Sequence, residues 1–248
     1  MYEIVKVINQ DKEAEFIYTD EDKLLEEKEN RMGPHFKQDY APDTLMSYNY
    51  ICHFSIFKKS LMDKLGGFRK EFDGSQDYDL IFRAVEQANR IIHIPKILYH
   101  WRINVDSVAS SASAKPYAYE AAIKAITAHL QRIGVKAKVE HAQILGMYKV
   151  AYEVIGNPKV SIVIPNKDHK KDLKRCINSI INKTTYNNYE IVIVENNSVT
   201  KEIFDYYKEI EKNEKIKIIE YKEKGFNYSK LNNLGVQNSN RRIYSTTK

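Results

Sequence analysis

The sequence predicts an α/β protein, and two observations carry that prediction. First, residues 159–248 alternate between short apolar segments and amphipathic ones, with strands expected at 159–164, 189–194 and 215–221. A strand–helix–strand alternation of this kind is typical of a parallel sheet with right-handed crossovers. Second, residues 1–110 contain apolar segments that run into acidic loops, interspersed with helical patterns. The chain is therefore expected to hold two α/β portions of different character.

The first portion is expected to open with a short helix at 3–10 and a buried strand at 15–18. Residues 23–43 are predicted to form a long irregular loop, because charged residues, Gly33 and two prolines interrupt any apolar period. Further helices are expected at 58–65 with a glycine C-cap, at 77–87 and at 116–133, extended segments at 91–95 and 97–101, and a loop at 105–115.

In the second portion the helices are predicted at 172–182, from residue 201 onward, and at 229–237. Ligands of parallel α/β sheets bind at the carboxyl ends of the strands. Those ends carry Pro165 and Asn166 on the first strand and the run from Glu195 to Ser198 on the second. These side chains are candidates to bind a nucleotide, although ordinary turn chemistry explains the Asn-Asn-Ser run equally well.

Composition limits the class of protein. The 248 residues are 43% hydrophobic, and 18 tyrosines help to supply a core. The sequence has neither an apolar stretch of the roughly 20 residues that span a bilayer nor a secretory signal pattern. Cys52 and Cys176 are far apart and belong to no C-x-x-C pair, so a disulfide framework or a zinc site is not expected. These features predict a cytoplasmic protein, or one that lies peripherally at the inner face of the plasma membrane.

The net charge of +6 comes from residues 159–248, which hold 18 Lys and Arg against 11 Asp and Glu. Such an excess steers anionic ligands, among them nucleotide diphosphates and nucleic acids. Much of it alternates with acidic residues, as on a solvated surface, and the aromatic interleaving of a single-strand platform is absent. Nucleic acid is therefore not an expected partner. The sequence also lacks G-x-G-x-x-G, Walker and G-x-S-x-G motifs, which disfavours dinucleotide oxidoreductases, P-loop NTPases and α/β-hydrolases.

Asp20 and Asp22 are two residues apart at the end of the first predicted strand. In an extended chain both carboxylates then lie on one side, with Glu21 opposite. Two oxygen donors on one face suit Mg²⁺ or Mn²⁺, with a diphosphate completing the shell. The alternative is a solvated acidic loop, because D-x-D occurs often by chance.

Asp77 stands at a predicted helix start, where the helix dipole favours a carboxylate and where a general base is the functional alternative. Asp79 is expected to pair with Arg83, four residues later. His100 and Arg102 alternate with Tyr99 and Trp101, which places each pair on its own face of a strand. His100 is a candidate metal ligand and Arg102 a candidate phosphate ligand.

Together these segments resemble glycosyltransferase family 2, whose members have the nucleotide-sugar-binding GT-A fold. The resemblance rests on residues 16–23, 49–53, 65–68, 74–80 and 94–102 for one portion, and on 160–166, 190–198 and 226–235 for the other. It implies Asp77 as catalytic base, and Asp20, Asp22 and His100 as ligands of Mn²⁺ or Mg²⁺. It further implies phosphate or acceptor contacts from Arg102 and Trp101, and a donor site formed by Pro165, Asn166, Glu195, Asn196 and Asn233.

The portions occur in reversed order. Residues 1–110 resemble the C-terminal, metal and acceptor portion of a first GT-A domain, 111–158 a helical connector, and 159–248 the N-terminal Rossmann-like β-α-β portion of a second. This order resembles the junction of a bacterial tandem-domain enzyme of cell-wall or surface polysaccharide synthesis. The strand that should follow residue 240 is expected to be missing, and exposed sheet edges are expected to favour self-association.

In an intact domain the resemblance implies an inverting, metal-assisted transfer of a hexosyl or rhamnosyl group. The sugar would pass from a nucleotide-diphosphate donor to a polysaccharide or lipid-linked glycan hydroxyl. Three alternatives stay open: a truncated, inactive fragment that binds carbohydrate or a partner, a glycoside hydrolase with two carboxylates, and a phosphoryl-transfer or nucleic-acid enzyme.

Overall fold

The computed structural model describes residues 1–24, 31–103 and 116–239, and the backbone of 243–246. The chain forms two compact units, Met1–Glu153 and Val154–Lys248. Over the described ranges, none of the helices combines the length and the apolar character that a membrane span requires. The predicted loop at 105–115 lies outside the described residues.

The first unit is a mixed α/β unit. Its helices are α1 (Tyr2–Gln10), α2 (Pro42–Ser47), α3 (Lys59–Leu65), α4 (Gln76–Gln87) and α5 (Pro116–Arg132). Its strands are β1 (Phe16–Leu24), β2 (Arg31–His35), β3 (Ser55–Phe57), β4 (Ile91–Arg102), β5 (Ala137–His141) and β6 (Tyr148–Tyr152). The helices at 3–10, 58–65, 77–87 and 116–133 are thus confirmed to within two residues, and Gly66 ends α3 in the left-handed conformation.

Strand β1 is the centre of this unit because it has neighbours on both edges and a core on both faces. It pairs in parallel with β4 and antiparallel with β2 and β3. Phe16 and Tyr18 are fully buried in the main core with α4 and α5, whereas Ile17 packs on the opposite face with Ile4 of α1 and Ile94 of β4. This alternation is the period-2 burial that the apolar run at 15–18 predicts.

Two expectations for this unit are corrected. The irregular loop expected at 23–43 is interrupted by β2 and α2, because polar β2 pairs with the extended end of β1 and therefore needs no apolar period of its own. The two extended segments at 91–95 and 97–101 are one strand, β4, since Pro95 interrupts the apolar pattern but is accommodated in an extended chain.

The segment predicted as a connector, 111–158, packs differently from that expectation in its described part. Ala122, Ala125, Ile126 and Leu130 of α5 enter the main core, and the β5–β6 hairpin adds Tyr148. Glu86 of α4 accepts hydrogen bonds from α5, at 2.6 Å from His129 and 2.7 Å from Arg132. Buried alanines every three or four residues let α5 pack closely against α4. The same spacing of alanines also occurs in exposed helices, so the sequence pattern alone does not predict this packing.

The second unit has the β-α-β alternation that the sequence predicts. Its elements are β7 (Val160–Asn166), α6 (Lys170–Lys183), β8 (Tyr189–Glu195), α7 (Lys201–Ile210), β9 (Ile216–Glu220), α8 (Tyr228–Gln237) and β10 (Ile243–Thr246). The sheet order is β10-β7-β8-β9, and all three pairings are parallel. The expectation that no strand follows residue 240 is wrong, because β10 pairs with β7 from Ile243 to Thr246.

The sheet of the second unit is covered on both faces. Ile191 and Ile193 of β8 pack with Ile203 and Tyr207 of α7, while the opposite face receives Leu231 of α8. Gly235 of α8 lies so close to the sheet that an added Cβ atom would stand 2.3 Å from a methyl carbon of Val163. Burial on both faces explains why these strands read as continuous apolar runs.

Candidate active site

The acidic motif of the first unit lies where β1 and β4 run side by side. The register between the strands shifts on both sides of Asp20, which pairs with Ile97, whereas Glu21 pairs with Tyr99 and Asp22 with His100. These irregularities turn the three successive carboxylates toward three different environments. Simple alternation, which places Asp20 and Asp22 together, does not describe this arrangement.

Asp22 and His100 are in direct contact. Nδ1 of His100 lies 2.5 Å from Oδ1 of Asp22, and Nε of Arg31 on β2 donates to Oδ2 at 2.6 Å. Desolvation raises the pKa of Asp22, but the hydrogen bonds from His100 and Arg31 outweigh it and leave the pKa below its ordinary value. A carboxylate beside a half-exposed imidazole is a donor pair that suits a divalent cation.

Asp20 is engaged elsewhere. Its Oδ1 accepts the backbone N–H of Lys37 at 2.9 Å and lies 2.8 Å from Nε2 of His93. The His93 ring stacks on Tyr18 at 4.8 Å between centroids, and its side chain is only 4% exposed. Asp20 therefore anchors β4 and the segment after β2. The sequence analysis does not name His93 as a site residue, because a single histidine in an apolar strand carries no motif.

Asp77 lies half-exposed at the start of α4. Nδ2 of Asn49 donates to Oδ2 of Asp77 at 3.0 Å, and Oδ1 of Asn49 accepts the backbone N–H of Cys52 at 3.2 Å. The amide of Asn49 thus orients the carboxylate of Asp77 through Oδ2 and does not engage Oδ1. A half-exposed carboxylate held in this way is able to accept a proton from a hydroxyl.

Asp79 has the structural role that its spacing predicts. It is completely buried, and Arg83 donates to it at 2.9 Å while Arg69 donates from a second side. Arg83 also donates to the carbonyls of Leu65 and Gly67 at 2.6 and 2.7 Å, which ties α4 to the end of α3. Of the two carboxylates in this turn, only Asp77 is available to a substrate.

Glu21 lies in a separate pocket. The rings of His35 and His53 stand 3.6 and 3.3 Å from its two carboxylate oxygens, and Nζ of the buried Lys37 is 3.9 Å away. Burial raises the pKa of Glu21, but the two imidazoles and the Lys37 ammonium outweigh it and hold the pKa at about 2. Lys37 also donates to the carbonyls of Ile51 and His53, which fixes the segment that carries Cys52.

The aromatic side chains of β4 form one wall beside this pocket. The His53 ring stacks on Tyr99 at 4.8 Å and lies 5.1 Å from Trp101. Tyr99 and Trp101 are therefore on one face of the strand, as alternation predicts, while His100 and Arg102 are exposed. A wall of stacked rings beside carboxylates suits the apolar face of a sugar.

The polar site of the second unit centres on Glu195. Its carboxylate accepts the backbone N–H and the hydroxyl of Ser198 at 2.5 and 2.7 Å, and the hydroxyl of Tyr207 at 2.5 Å. Nδ2 of Asn166 donates to the same Tyr207 hydroxyl at 2.8 Å. Desolvation and the Glu195 carboxylate raise the pKa of Tyr207. Glu195, Tyr207 and Asn166 thus form a buried network that holds the ends of β7 and β8 together.

Asp168, which follows β7 with a positive φ of 57°, completes the loop architecture. Its Oδ1 accepts the backbone N–H groups of Val199 and Thr200 at 2.8 and 2.9 Å, before the first turn of α7. Asp168 thus joins the two loops in which a nucleotide would lie. Asp168 belongs to the run at the carboxyl end of β7 where the sequence predicts ligand contacts, although no individual role was predicted for it, and Tyr207 was not predicted.

An open cleft of about 1500 Å³ lies beside these loops. Pro165, Asn166 and Asn196 are among its lining residues, together with Phe226 and Leu231. Three of the predicted donor-binding residues therefore share this cleft, and Glu195 lies buried behind them.

Asn233, the fifth predicted donor-binding residue, is exposed on α8. Its neighbour Asn232 is 8% exposed and has a buried Oδ1 with no hydrogen-bond partner among the described residues. The adjacent asparagines are indistinguishable by residue type, so the burial that separates them is visible only in the fold.

Known proteins resemble this chain over most of its length. Residues 161–244 match the sequence model of Glycosyl transferase family 2. This segment belongs to glycosyltransferase family 2. The mixed α/β architecture of the chain is consistent with the GT-A fold of that family.

Two relatives extend beyond this segment. An uncharacterized protein of Sinorhizobium fredii, y4gI, is 39% identical over 239 residues, which are 95% of this chain and 26% of that protein. The O-antigen biosynthesis protein RfbC of Myxococcus xanthus is 38% identical over 192 residues, 77% of this chain and 15% of that protein. The chain thus spans about a quarter and about a seventh of these relatives.

Proposed function

We propose that the chain is the junction of two successive family 2 domains in a glycosyltransferase of bacterial surface-polysaccharide synthesis. The first unit would supply the metal and acceptor side of one domain, and the second unit the nucleotide side of the next. The likeness to an O-antigen biosynthesis protein supports the class of product.

The observation that carries this proposal is a helix–strand step that occurs twice. In the first unit α1 leads into β1, and in the second α8 leads into β10, with five residues between helix and strand in both. β1 is the strand that carries the acidic motif, and it lies in parallel beside β4, as β10 lies beside β7. The second unit therefore ends in the element with which the first begins, as expected of two copies of one domain in series.

The residues suit an inverting transfer. Asp77, oriented by Asn49, would accept the proton of an acceptor hydroxyl while that oxygen attacks the anomeric carbon of the donor. Tyr99 and Trp101 would bind the acceptor sugar face, and Arg102 a phosphate oxygen. The hydroxyl proton moves to Asp77, and the nucleoside diphosphate leaves with the bonding electron pair.

A divalent cation, Mn²⁺ or Mg²⁺, would be held by Asp22 and His100, which are hydrogen-bonded to each other at 2.5 Å and would have to separate to admit the ion between them. When bound, it would stabilise the negative charge that develops on the departing diphosphate. Asp20 contributes indirectly in this arrangement, because its Oδ1 is committed to His93 and to the backbone of Lys37.

The second unit would bind the donor of the next domain, in the cleft that Pro165, Asn166 and Asn196 line. Ligand-observed NMR of the full chain with UDP- and dTDP-linked sugars tests this assignment. Saturable binding that weakens about tenfold in Asn166→Ala, and not in the exposed control Asn187→Ala, is expected. Absence of binding for every donor at millimolar concentration would refute the nucleotide role of this unit.

Activity tests the first unit. In the full chain, and in the y4gI relative of which it covers 26%, release of nucleoside diphosphate in the presence of glycan acceptors is the measured quantity. Replacement of Asp77 by Asn is expected to lower the rate about 10²–10⁴-fold. The exposed carboxylate of Asp73, four residues earlier, is the matched control. Equal rates for the Asp77→Asn and Asp73→Asn variants would contradict the assignment of the base.

A further inference from the structure

Glu21, Cys52 and His53 bring three different metal-binding atoms together outside the Asp22–His100 pair. Sγ of Cys52 lies 3.1 Å from Nδ1 of His53, and that nitrogen lies 3.3 Å from Oε2 of Glu21. All three atoms lie within 4.8 Å of one another. We propose that they form a binding site for Zn²⁺, separate from the Asp22–His100 site proposed for Mn²⁺ or Mg²⁺.

The spacing agrees with tetrahedral coordination. Zinc binds sulfur at about 2.3 Å, imidazole nitrogen at about 2.0–2.1 Å and carboxylate oxygen at about 2.0–2.2 Å. At tetrahedral angles, these bonds place the sulfur about 3.6 Å from the nitrogen, and the nitrogen about 3.4 Å from the oxygen. The observed 3.1 and 3.3 Å lie within about 0.5 Å of these values. Because Sγ also lies 3.9 Å from Nε2, the His53 ring presents its face to the sulfur and must turn to aim the Nδ1 lone pair at an ion.

The carboxylate of Glu21 supplies an independent indication of a ligand. The residue is 7% exposed, and its Oε2 is buried without a hydrogen-bond partner among the described residues. An unpaired buried acceptor costs free energy, of order 1–3 kcal/mol for a neutral group and more for a charged one. That oxygen lies 3.3 Å from the imidazole nitrogen and within 4.8 Å of the sulfur, so a cation between the three atoms would satisfy it.

The surroundings suit a partly accessible ion. The side chain of His53 is 36% exposed, which leaves a route for entry. Nζ of Lys37 lies 3.9 Å from Glu21 Oε2, but this ammonium is occupied by the carbonyls of Ile51 and His53, and His35 faces the other carboxylate oxygen. Binding would release the thiol proton of Cys52 to solvent, since the thiolate is the ligand.

Three protein ligands leave a fourth tetrahedral position for water or a substrate oxygen. Asn49 joins this site to Asp77, because its side chain bonds both the Cys52 backbone and the Asp77 carboxylate. The proposal does not depend on sugar transfer. The mixed Glu-Cys-His set is invisible to a search for paired cysteines, which is why sequence reasoning did not expect zinc.

Titration of the full chain with Co²⁺, a spectroscopic substitute for Zn²⁺, tests the site. We expect a thiolate-to-cobalt charge-transfer band that Zn²⁺ displaces stoichiometrically. Cys52→Ser should abolish the band, and His53→Gln should weaken the affinity about tenfold or more. Cys176→Ser is the matched control, because it removes the other free cysteine, on α6, and should leave the band unchanged.

A second measurement needs no variant at Cys52. Alkylation of both cysteines, followed by mass spectrometry, should show that Zn²⁺ protects Cys52 at least tenfold and leaves Cys176 unprotected. No band in the unmodified chain, a band that survives Cys52→Ser, or equal alkylation of Cys52 with and without Zn²⁺ would each overturn the proposal.

Discussion

Asp77 and Asp79 share one turn of α4, and the structure predicts opposite consequences when each is replaced by asparagine. Asp79 is fully buried between Arg83 and Arg69, whereas Asp77 is half-exposed and contacts the amide of Asn49. Asp79→Asn should therefore destabilise the first unit with its chemistry otherwise intact. Asp77→Asn should leave the stability of the first unit nearly unchanged and remove the proposed base.

The magnitude follows from burial. Removal of one partner from a buried ion pair costs about 3–5 kcal/mol, because the remaining charge stays buried and uncompensated. The guanidinium of Arg83 is 7% exposed, and its bonds to Leu65 and Gly67 hold it in place, so it cannot escape to water. For Asp77, which keeps a hydrogen-bonding amide and has access to solvent, the expected cost is less than about 1 kcal/mol.

Urea denaturation followed by tryptophan fluorescence measures the difference. Trp101 is the only tryptophan in the sequence and lies on β4, so its signal reports on the first unit alone. With a urea dependence of about 2 kcal/mol/M, the midpoint for Asp79→Asn should fall by roughly 2 M, and that for Asp77→Asn by less than about 0.5 M. Equal midpoints for the two variants would refute the reasoning.

Three further predictions concern other contacts. Gly235→Ala should destabilise the second unit by about 1–3 kcal/mol, because the new methyl group collides with Val163. In urea denaturation, the transition followed by circular dichroism should move to a lower urea concentration, while the transition followed by the fluorescence of Trp101 stays unchanged. Tyr207→Phe removes one of the two hydroxyls that donate to Oε2 of Glu195 and leaves the buried Nδ2 of Asn166 without its acceptor, and should cost about 1–3 kcal/mol by the same measurement. Burial raises the pKa of Glu86, but the histidine and arginine of α5 outweigh it and lower the pKa below 4.5. The contribution of Glu86 to the free energy of unfolding is therefore complete above pH 4.5 and is lost as the pH falls through the folded pKa. In the Glu86→Gln variant the free energy of unfolding should depend less on pH in that window. The same pH dependence in the variant and the unmodified chain would contradict this.

Elements with a strong apolar period were predictable from sequence. The strands of the second unit and the helix at 77–87 have patterns that tertiary context reinforces, and the pairing of Asp79 with Arg83 needs only the helical repeat. By contrast β2 is polar and exists because β1 offers it an edge, and β10 likewise depends on β7. A strand that forms because a partner offers it an edge need not show an apolar alternation in its own sequence.

The site was predictable in its residue types and less so in its contacts. Asp22 and His100 lie in contact, but Asp20 turns toward His93 because the register of β1 against β4 shifts around it. A register shift is a property of two strands together, so a D-x-D spacing cannot reveal it. The pocket of Glu21 likewise depends on residues 51–53, about thirty residues later in the chain, whose carbonyls Lys37 holds in place.

The parallel pairings have a consequence for folding. Phe16 pairs with Ile91, and Val160 with Ile243, so each unit must close a loop of about 80 residues before these strands meet. Loop closure costs rise only as about (3/2)RT ln n, and the two closures therefore carry almost the same entropic cost, roughly 4 kcal/mol plus a constant. Intervening helices and the pairing of β1 with β2 and β3 should form before either closure, which places β4 among the last elements to join the sheet of the first unit.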